Sequence, residues 1–132
     1  MPSNYNYVDW PPLPQDLIEL CLEAIDPVND LWGKGGNTDN SQMYQIYDTC
    51  PKVKSWAMSN LPIDDSYYVR VQRLTPTKFF NIHTDRYRKI TYNYLIQGNG
   101  VTVWYNDQLR PMEHVNFEQG RWARLDVTVP HN

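Results

Sequence analysis

The feature that most constrains this chain is a change in hydrophobic period near Tyr67. Before that point apolar residues recur at helical spacing, from Pro14 to Ile25 and again from Pro51 to Leu61. After it the period falls towards two, and short β-branched and aromatic segments alternate with turn residues. Two helices followed by a run of strands predict an α+β, mainly β fold whose C-terminal half is a sandwich or barrel.

Four segments are strand candidates: YYVRVQRL at 67–74, KITYNYLIQ at 89–97, VTVWY at 101–105 and RWARLDVTV at 121–129. The GNG sequence at 98–100 predicts a tight turn between the second and third of them. We expect Trp104 and Trp122 to fill the space between the sheets. The stretch GKGGNTDNSQ at 33–42 has no apolar residue and predicts a surface loop that contributes to a pocket.

Length and composition predict one domain over residues 1–132, with a helical part at 1–62 and a β core at 67–132. Hydrophobic residues make up 41% of the chain, so there is enough apolar material for a core. The net charge of −3 gives no general attraction to nucleic acid or to anionic membranes. No leader pattern and no long apolar run is visible, which predicts a cytoplasmic protein without a membrane partner.

His83 and Asp85 stand two residues apart in the stretch FFNIHTDRYRKITYNYLI. In an extended backbone residues i and i+2 project to the same side, so an imidazole nitrogen and a carboxylate oxygen can reach one point. A third donor, His131, follows the strand predicted from Arg124 to Val129. Two histidines and one carboxylate form the ligand set of non-haem Fe(II) sites, which leaves coordination positions open.

Other interpretations of these residues stay open. Taken alone, the His83 and Asp85 pair fits a solvated loop, and His131 is what favours a site. Zinc is the competing metal, although a closed structural zinc site usually has four ligands with more cysteine. His114 is the alternative third ligand, but an ordinary surface histidine is its simpler interpretation. Cys21 and Cys50 lack any ligand spacing such as Cys-x-x-Cys.

The order of these motifs resembles the 2-oxoglutarate and Fe(II)-dependent dioxygenases. The resemblance covers about Tyr67 to Asn132 and rests on four pieces: the His-x-Asp triplet at 83–85, RKIT at 88–91, GNGVTVWY at 98–105 and LDVTVPH at 125–131. It implies a double-stranded β-helix, a jelly-roll or cupin-like core with N-terminal helices outside. It also implies that His83, Asp85 and His131 bind Fe(II), and that 2-oxoglutarate is the cosubstrate for oxidation of a C–H bond.

The resemblance leaves the substrate open: a small molecule and a protein side chain both fit. In that family a basic residue beyond the distal histidine binds the far carboxylate of 2-oxoglutarate, whereas this sequence ends at Asn132. We therefore expect a truncated chain of weak or no activity, whose third ligand is mobile because terminal residues fray. The alternative is an anchor elsewhere, for which the candidates are Arg88, Arg70, Arg124 and the hydroxyl of Tyr92.

Ordinary structural roles are the alternative to anchoring 2-oxoglutarate. A strand tyrosine such as Tyr92 more often packs, and a cation such as Arg88 more often lies at the surface. A strand missing from the barrel would leave an unpaired sheet edge, which favours a homodimer through that edge. The rival to an oxygenase is a non-catalytic module, either a metal-binding cupin-like domain or a structural jelly roll in which the His-x-Asp triplet is accidental.

Overall fold

The computed structural model describes residues 3–24, 44–47, 51–74 and 82–132. Over these residues the chain is mainly β with two helices, as the sequence predicts. It divides into two compact units, one of Leu13–Phe79 and one of Met1–Pro12 with Phe80–Asn132. The loop predicted at 33–42 lies outside the described residues. Within the described residues, neither helix combines the length and the apolar character that crossing a bilayer requires.

The Leu13–Phe79 unit contains both helices. Helix α1 spans Gln15–Ala24 and helix α2 spans Pro51–Asn60, close to the predicted bounds. The Pro14 carbonyl accepts hydrogen bonds from the amides of Leu17 (3.1 Å) and Ile18 (3.0 Å), which starts α1. Each helical segment buries one residue per turn, at spacing four: Leu13, Leu17 and Cys21 in the first, and Val53, Ala57 and Leu61 in the second.

The same unit holds a two-stranded antiparallel ribbon. Strand β2, Tyr44–Tyr47, pairs with strand β3, Val71–Leu74. β2 was not predicted from sequence, and the first strand candidate, at 67–74, begins four residues before β3. Four residues of strand are too few to show the period of two on which such a prediction depends.

The second unit is a pair of facing sheets. Its first sheet is antiparallel, in the order β1 (Tyr5–Tyr7), β7 (Trp122–Asp126), β4 (Ile90–Tyr94). Its second consists of the antiparallel hairpin β5 (Val101–Tyr105) and β6 (Pro111–Asn116). The first twelve residues therefore belong with the C-terminal unit, through a long-range strand pairing that the sequence analysis did not predict.

The core of this unit lies between the two sheets. Trp104 of β5 is fully buried, stacks on the Tyr5 ring at 5.7 Å, and donates its indole N–H to the Asp126 carbonyl at 2.9 Å. Because Asp126 belongs to β7, this contact joins the sheets, as predicted for Trp104. The same cluster buries Val115, Ala123, Leu125 and Val127.

Trp122 does not fill that space. Side chains alternate along a strand, so the buried Ala123 and Leu125 place Trp122 on the opposite face of β7. There its ring lies 5.7 Å from Trp10 and 5.0 Å from Tyr94. The prediction for Trp122 is therefore wrong, because the register of β7 puts Trp122 on the outer face.

The turn at residues 98–100 does not join paired strands. β4 pairs with β7 and β5 pairs with β6, so the chain passes from the first sheet to the second between Tyr94 and Val101. Gly98 has a φ of 88°, a conformation that glycine adopts without the clash a Cβ would cause. The turn signal was correct in position, but local sequence does not tell a hairpin from a crossing between sheets.

Candidate metal centre

The backbones of His83 and His131 are paired directly. The His83 amide donates to the His131 carbonyl at 3.0 Å, and the His131 amide donates to the His83 carbonyl at 2.9 Å. Residues opposite each other in an antiparallel pair project to the same face. The two imidazoles are accordingly adjacent, with ring centroids 4.5 Å apart.

On its other side the C-terminal segment pairs with β5. Asn132 and Val103 exchange two backbone hydrogen bonds, of 3.1 and 3.0 Å, and the Tyr105 amide donates to Pro130 at 2.8 Å. His131 lies opposite Trp104, whose side chain faces the core, so the His131 ring also faces inward. The whole His131 residue is only 8% exposed, and these backbone bonds hold it on both sides. The mobility expected for the third ligand stays a prediction.

Asp85 is positioned from the first sheet. The Asp85 amide donates to the Val127 carbonyl at 3.0 Å, and the Val127 amide donates to the Lys89 carbonyl at 3.0 Å. These two bonds close the turn between Asp85 and Lys89. The Asp85 side chain is 8% exposed. The segment holding His83 and Asp85 therefore contacts both sheets. The candidate metal ligands lie where the two sheets approach each other.

The three candidate ligands come together in one group. Asp85 Oδ1 lies 3.4 Å from His83 Nε2 and 3.5 Å from His131 Nε2. One donor atom from each of the three residues lies within 4.8 Å of the others. Two ligand atoms held about 2.1 Å from one ion, at right angles to each other, are about 3.0 Å apart. The observed distances of 3.4 and 3.5 Å are close to that value, so small side-chain rotations suffice to bind an ion.

The tautomer of His131 suits metal binding. His131 Nδ1 lies 2.7 Å from the Val129 carbonyl oxygen. A carbonyl only accepts, so Nδ1 carries the proton and the lone pair is on Nε2, the nitrogen that faces Asp85. A backbone carbonyl that holds the second ring nitrogen is the usual way in which proteins orient a histidine ligand. Sequence reasoning missed this contact, because it depends on the turn at Pro130.

Exposure is unequal across the group. The side chain of His83 is 44% exposed, against 10% for His131 and 8% for Asp85. Two donors are thus buried and the third lies at the surface. His83 is therefore the side of the group that faces solvent.

Arg88 contributes to the group, although in a different way from that expected. Its guanidinium contacts Asp85 Oδ2, and the contact is an ion pair without hydrogen-bond alignment. The two residues are three apart in sequence, a spacing that the sequence analysis did not use.

The other candidates lie elsewhere. Tyr92 is opposite Arg124, on the face of the first sheet away from the core, and its ring stacks on Trp10 at 4.3 Å. His114 is an exposed residue of β6 that pairs with Val103, so the structure brings His131, not His114, to Asp85. Arg70 belongs to the other unit, where its guanidinium lies 5.4 Å from the centroid of the Tyr68 ring.

Comparison with protein-family models, with curated proteins and with solved structures finds no match for this chain. The geometry of the site is therefore the basis for inferring a function.

Proposed function

We propose that this chain is a non-haem Fe(II)- and 2-oxoglutarate-dependent oxygenase that hydroxylates a C–H bond of its substrate. The observation that carries the proposal is the meeting of His83, Asp85 and His131, with two nitrogen donors and one carboxylate oxygen within 4.8 Å of one another. That ligand set is typical of Fe(II) sites that activate oxygen.

The number and type of donors favour a reactive centre over a structural zinc site. Closed zinc sites use four ligands and commonly cysteine. Among the described residues this group has three members, none of them cysteine, and one of them is at the surface. A six-coordinate ion held by three such ligands keeps three positions for cosubstrate and oxygen.

The strand connections support a double-stranded β-helix core. From β4 the chain passes to the second sheet for β5 and β6, returns to the first for β7, and ends beside β5 in the second. Repeated passage between two facing antiparallel sheets is how a jelly roll is built. The buried side chains of Asp85 and His131 suit a site inside such a sandwich.

The reaction balances as follows. One oxygen atom of O2 enters succinate as 2-oxoglutarate loses CO2, and the other enters the substrate, whose C–H bond becomes C–OH. Bound Fe(II) supplies the redox chemistry that couples these two oxidations. Asp85 and His131 would hold the ion from the buried side, where the fully buried Trp104, opposite His131, would keep water away.

The test is turnover in the absence of substrate. The protein is supplied with Fe(II), ascorbate and 2-oxoglutarate, and succinate is measured, for the native chain, for Asp85→Ala and for His114→Ala. We expect succinate above the rate without protein for the native chain and for His114→Ala, and none above it for Asp85→Ala. His114→Ala is the matched control, because it removes an imidazole outside the cluster.

Two results would contradict the proposal. Metal binding without any binding or turnover of 2-oxoglutarate would identify a metal-binding module instead. Succinate formation that survives Asp85→Ala would show that the cluster is not the centre of turnover.

A further inference from the structure

The two oxygens of the Asp85 carboxylate have different neighbours. Oδ1 faces both histidines, at 3.4 Å from His83 Nε2 and 3.5 Å from His131 Nε2. Oδ2 contacts the guanidinium of Arg88. One carboxylate oxygen therefore faces the two candidate histidine ligands, and the other contacts a cation.

This division affects how many coordination positions the carboxylate occupies. A carboxylate binds a metal through one oxygen or through both, and the second mode uses one position more. With two histidines and a bidentate carboxylate, a six-coordinate ion keeps two open positions, and with a monodentate carboxylate it keeps three. A cosubstrate that chelates through two atoms, together with oxygen, needs all three.

We propose that Arg88 is a positioning residue that occupies Asp85 Oδ2 and so makes Asp85 a monodentate ligand through Oδ1. This inference rests on the proposed function, since it concerns the same centre. It gives Arg88 a role towards the protein's own carboxylate rather than towards the far carboxylate of 2-oxoglutarate.

Burial explains why a cation is needed at this place. The Asp85 side chain is 8% exposed, and Oδ2 is buried. A buried carboxylate oxygen without a charged or hydrogen-bonding neighbour is costly, so Oδ2 would otherwise turn to the metal. Arginine keeps its charge at every accessible pH, so the neighbour is permanent.

Arg86 provides a matched comparison. It lies on the same exposed segment, one residue from Asp85, and carries the same charge. Removing either arginine takes one positive charge from the neighbourhood of the centre, so the general effect on a bound dication is shared. The difference between Arg88→Ala and Arg86→Ala then reports the contact with Oδ2.

The experiment uses Co(II) as the probe and needs no turnover. Co(II) affinity is measured by calorimetry, the coordination of the bound ion by its visible absorption, and the affinity of the Co(II) protein for 2-oxoglutarate by a second titration. We expect Arg88→Ala to change the spectrum, because the freed Oδ2 joins Oδ1 on the ion. It should not weaken Co(II) binding, because that change adds a bond and takes a positive charge away from the ion. Arg86→Ala should change the affinity less than about two-fold, within the range for exposed charges.

Affinity for 2-oxoglutarate at saturating Co(II) should fall in Arg88→Ala and not in Arg86→Ala. Arg88→Lys, which returns a cation to Oδ2, should restore part of the native spectrum and part of the 2-oxoglutarate affinity, and it carries the comparison if Arg88→Ala does not fold. If Arg88→Ala matches Arg86→Ala in affinity and spectrum, the inference about Arg88 is overturned while the metal site stands. If the native chain does not bind Co(II), the proposed function fails, and the role of Arg88 fails with it.

Discussion

Replacing Trp104 with phenylalanine tests how the two sheets of the C-terminal unit are held together. The indole is fully buried, and its N–H donates to the Asp126 carbonyl at 2.9 Å. Phenylalanine cannot donate, so it leaves that carbonyl without this bond inside the protein, at a cost of about 1–2 kcal/mol. The smaller ring also leaves a void of roughly 40 Å³, which adds about 1 kcal/mol.

We therefore expect Trp104→Phe to lower the free energy of unfolding by about 2–3 kcal/mol. Trp122→Phe is the control, because the Trp122 indole donates to the Pro11 carbonyl over the same 2.9 Å but is only half-buried. Water can replace that bond, so the control should cost about 1 kcal/mol or less. The measurement is urea unfolding followed by far-ultraviolet circular dichroism, which does not depend on tryptophan emission. Equal losses in the two variants would refute the argument from burial.

Two further predictions concern the same unit. Burial raises the pKa of Glu113, but hydrogen bonds from Ser3 and from the backbone and side chain of Asn4 outweigh it and hold that pKa below its ordinary value of 4.5. A depressed folded-state pKa contributes stability above about pH 4.5 that is lost as the pH falls through the folded value. In urea unfolding, Glu113→Gln should thus cost about 1 kcal/mol or less at pH 7 and almost nothing near pH 2, and a constant difference would contradict it. Gly98→Ala should cost about 1 kcal/mol in the same assay because φ is 88° there, whereas Gly100→Ala, where a Cβ meets no atom closer than 3.5 Å, should be near neutral. Equal losses at the two glycines would contradict the argument from φ.

The helices were the part of the fold that sequence predicted best. Their apolar spacing is set within one segment, and the buried residues Val53, Ala57 and Leu61 are the ones that the period indicates. Among the described residues, four of the seven strands were predicted, β3, β4, β5 and β7. The short strands β1 and β2, the polar strand β6 and the strand partners were not. A strand's partner depends on contacts far away in sequence, as the pairing of Tyr5 with Leu125 illustrates.

Among the candidate site residues, those fixed by local sequence were predictable and those fixed by strand register were not. His83 and Asp85 were predictable because their spacing of two fixes a common side, and His131 because it follows a strand. Tyr92 was not predictable, because a shift of one residue in register moves a side chain to the other face of a sheet. The register of β4 with β7 puts Tyr92 opposite Arg124, away from the core.

An ion bound by His83, Asp85 and His131 would be linked to folding, because the backbone fold brings these donors together. His131 is brought to Asp85 by backbone pairing with His83 and β5, so it joins His83 and Asp85 in the folded state and is far from both in an unfolded chain. An ion that binds only the folded state, present at about 100 times its dissociation constant, adds about 2.7 kcal/mol to the free energy of unfolding. That amount equals the loss expected for Trp104→Phe. The stabilities of core variants are therefore comparable only at a fixed metal concentration, and a chelator gives the value that belongs to packing alone.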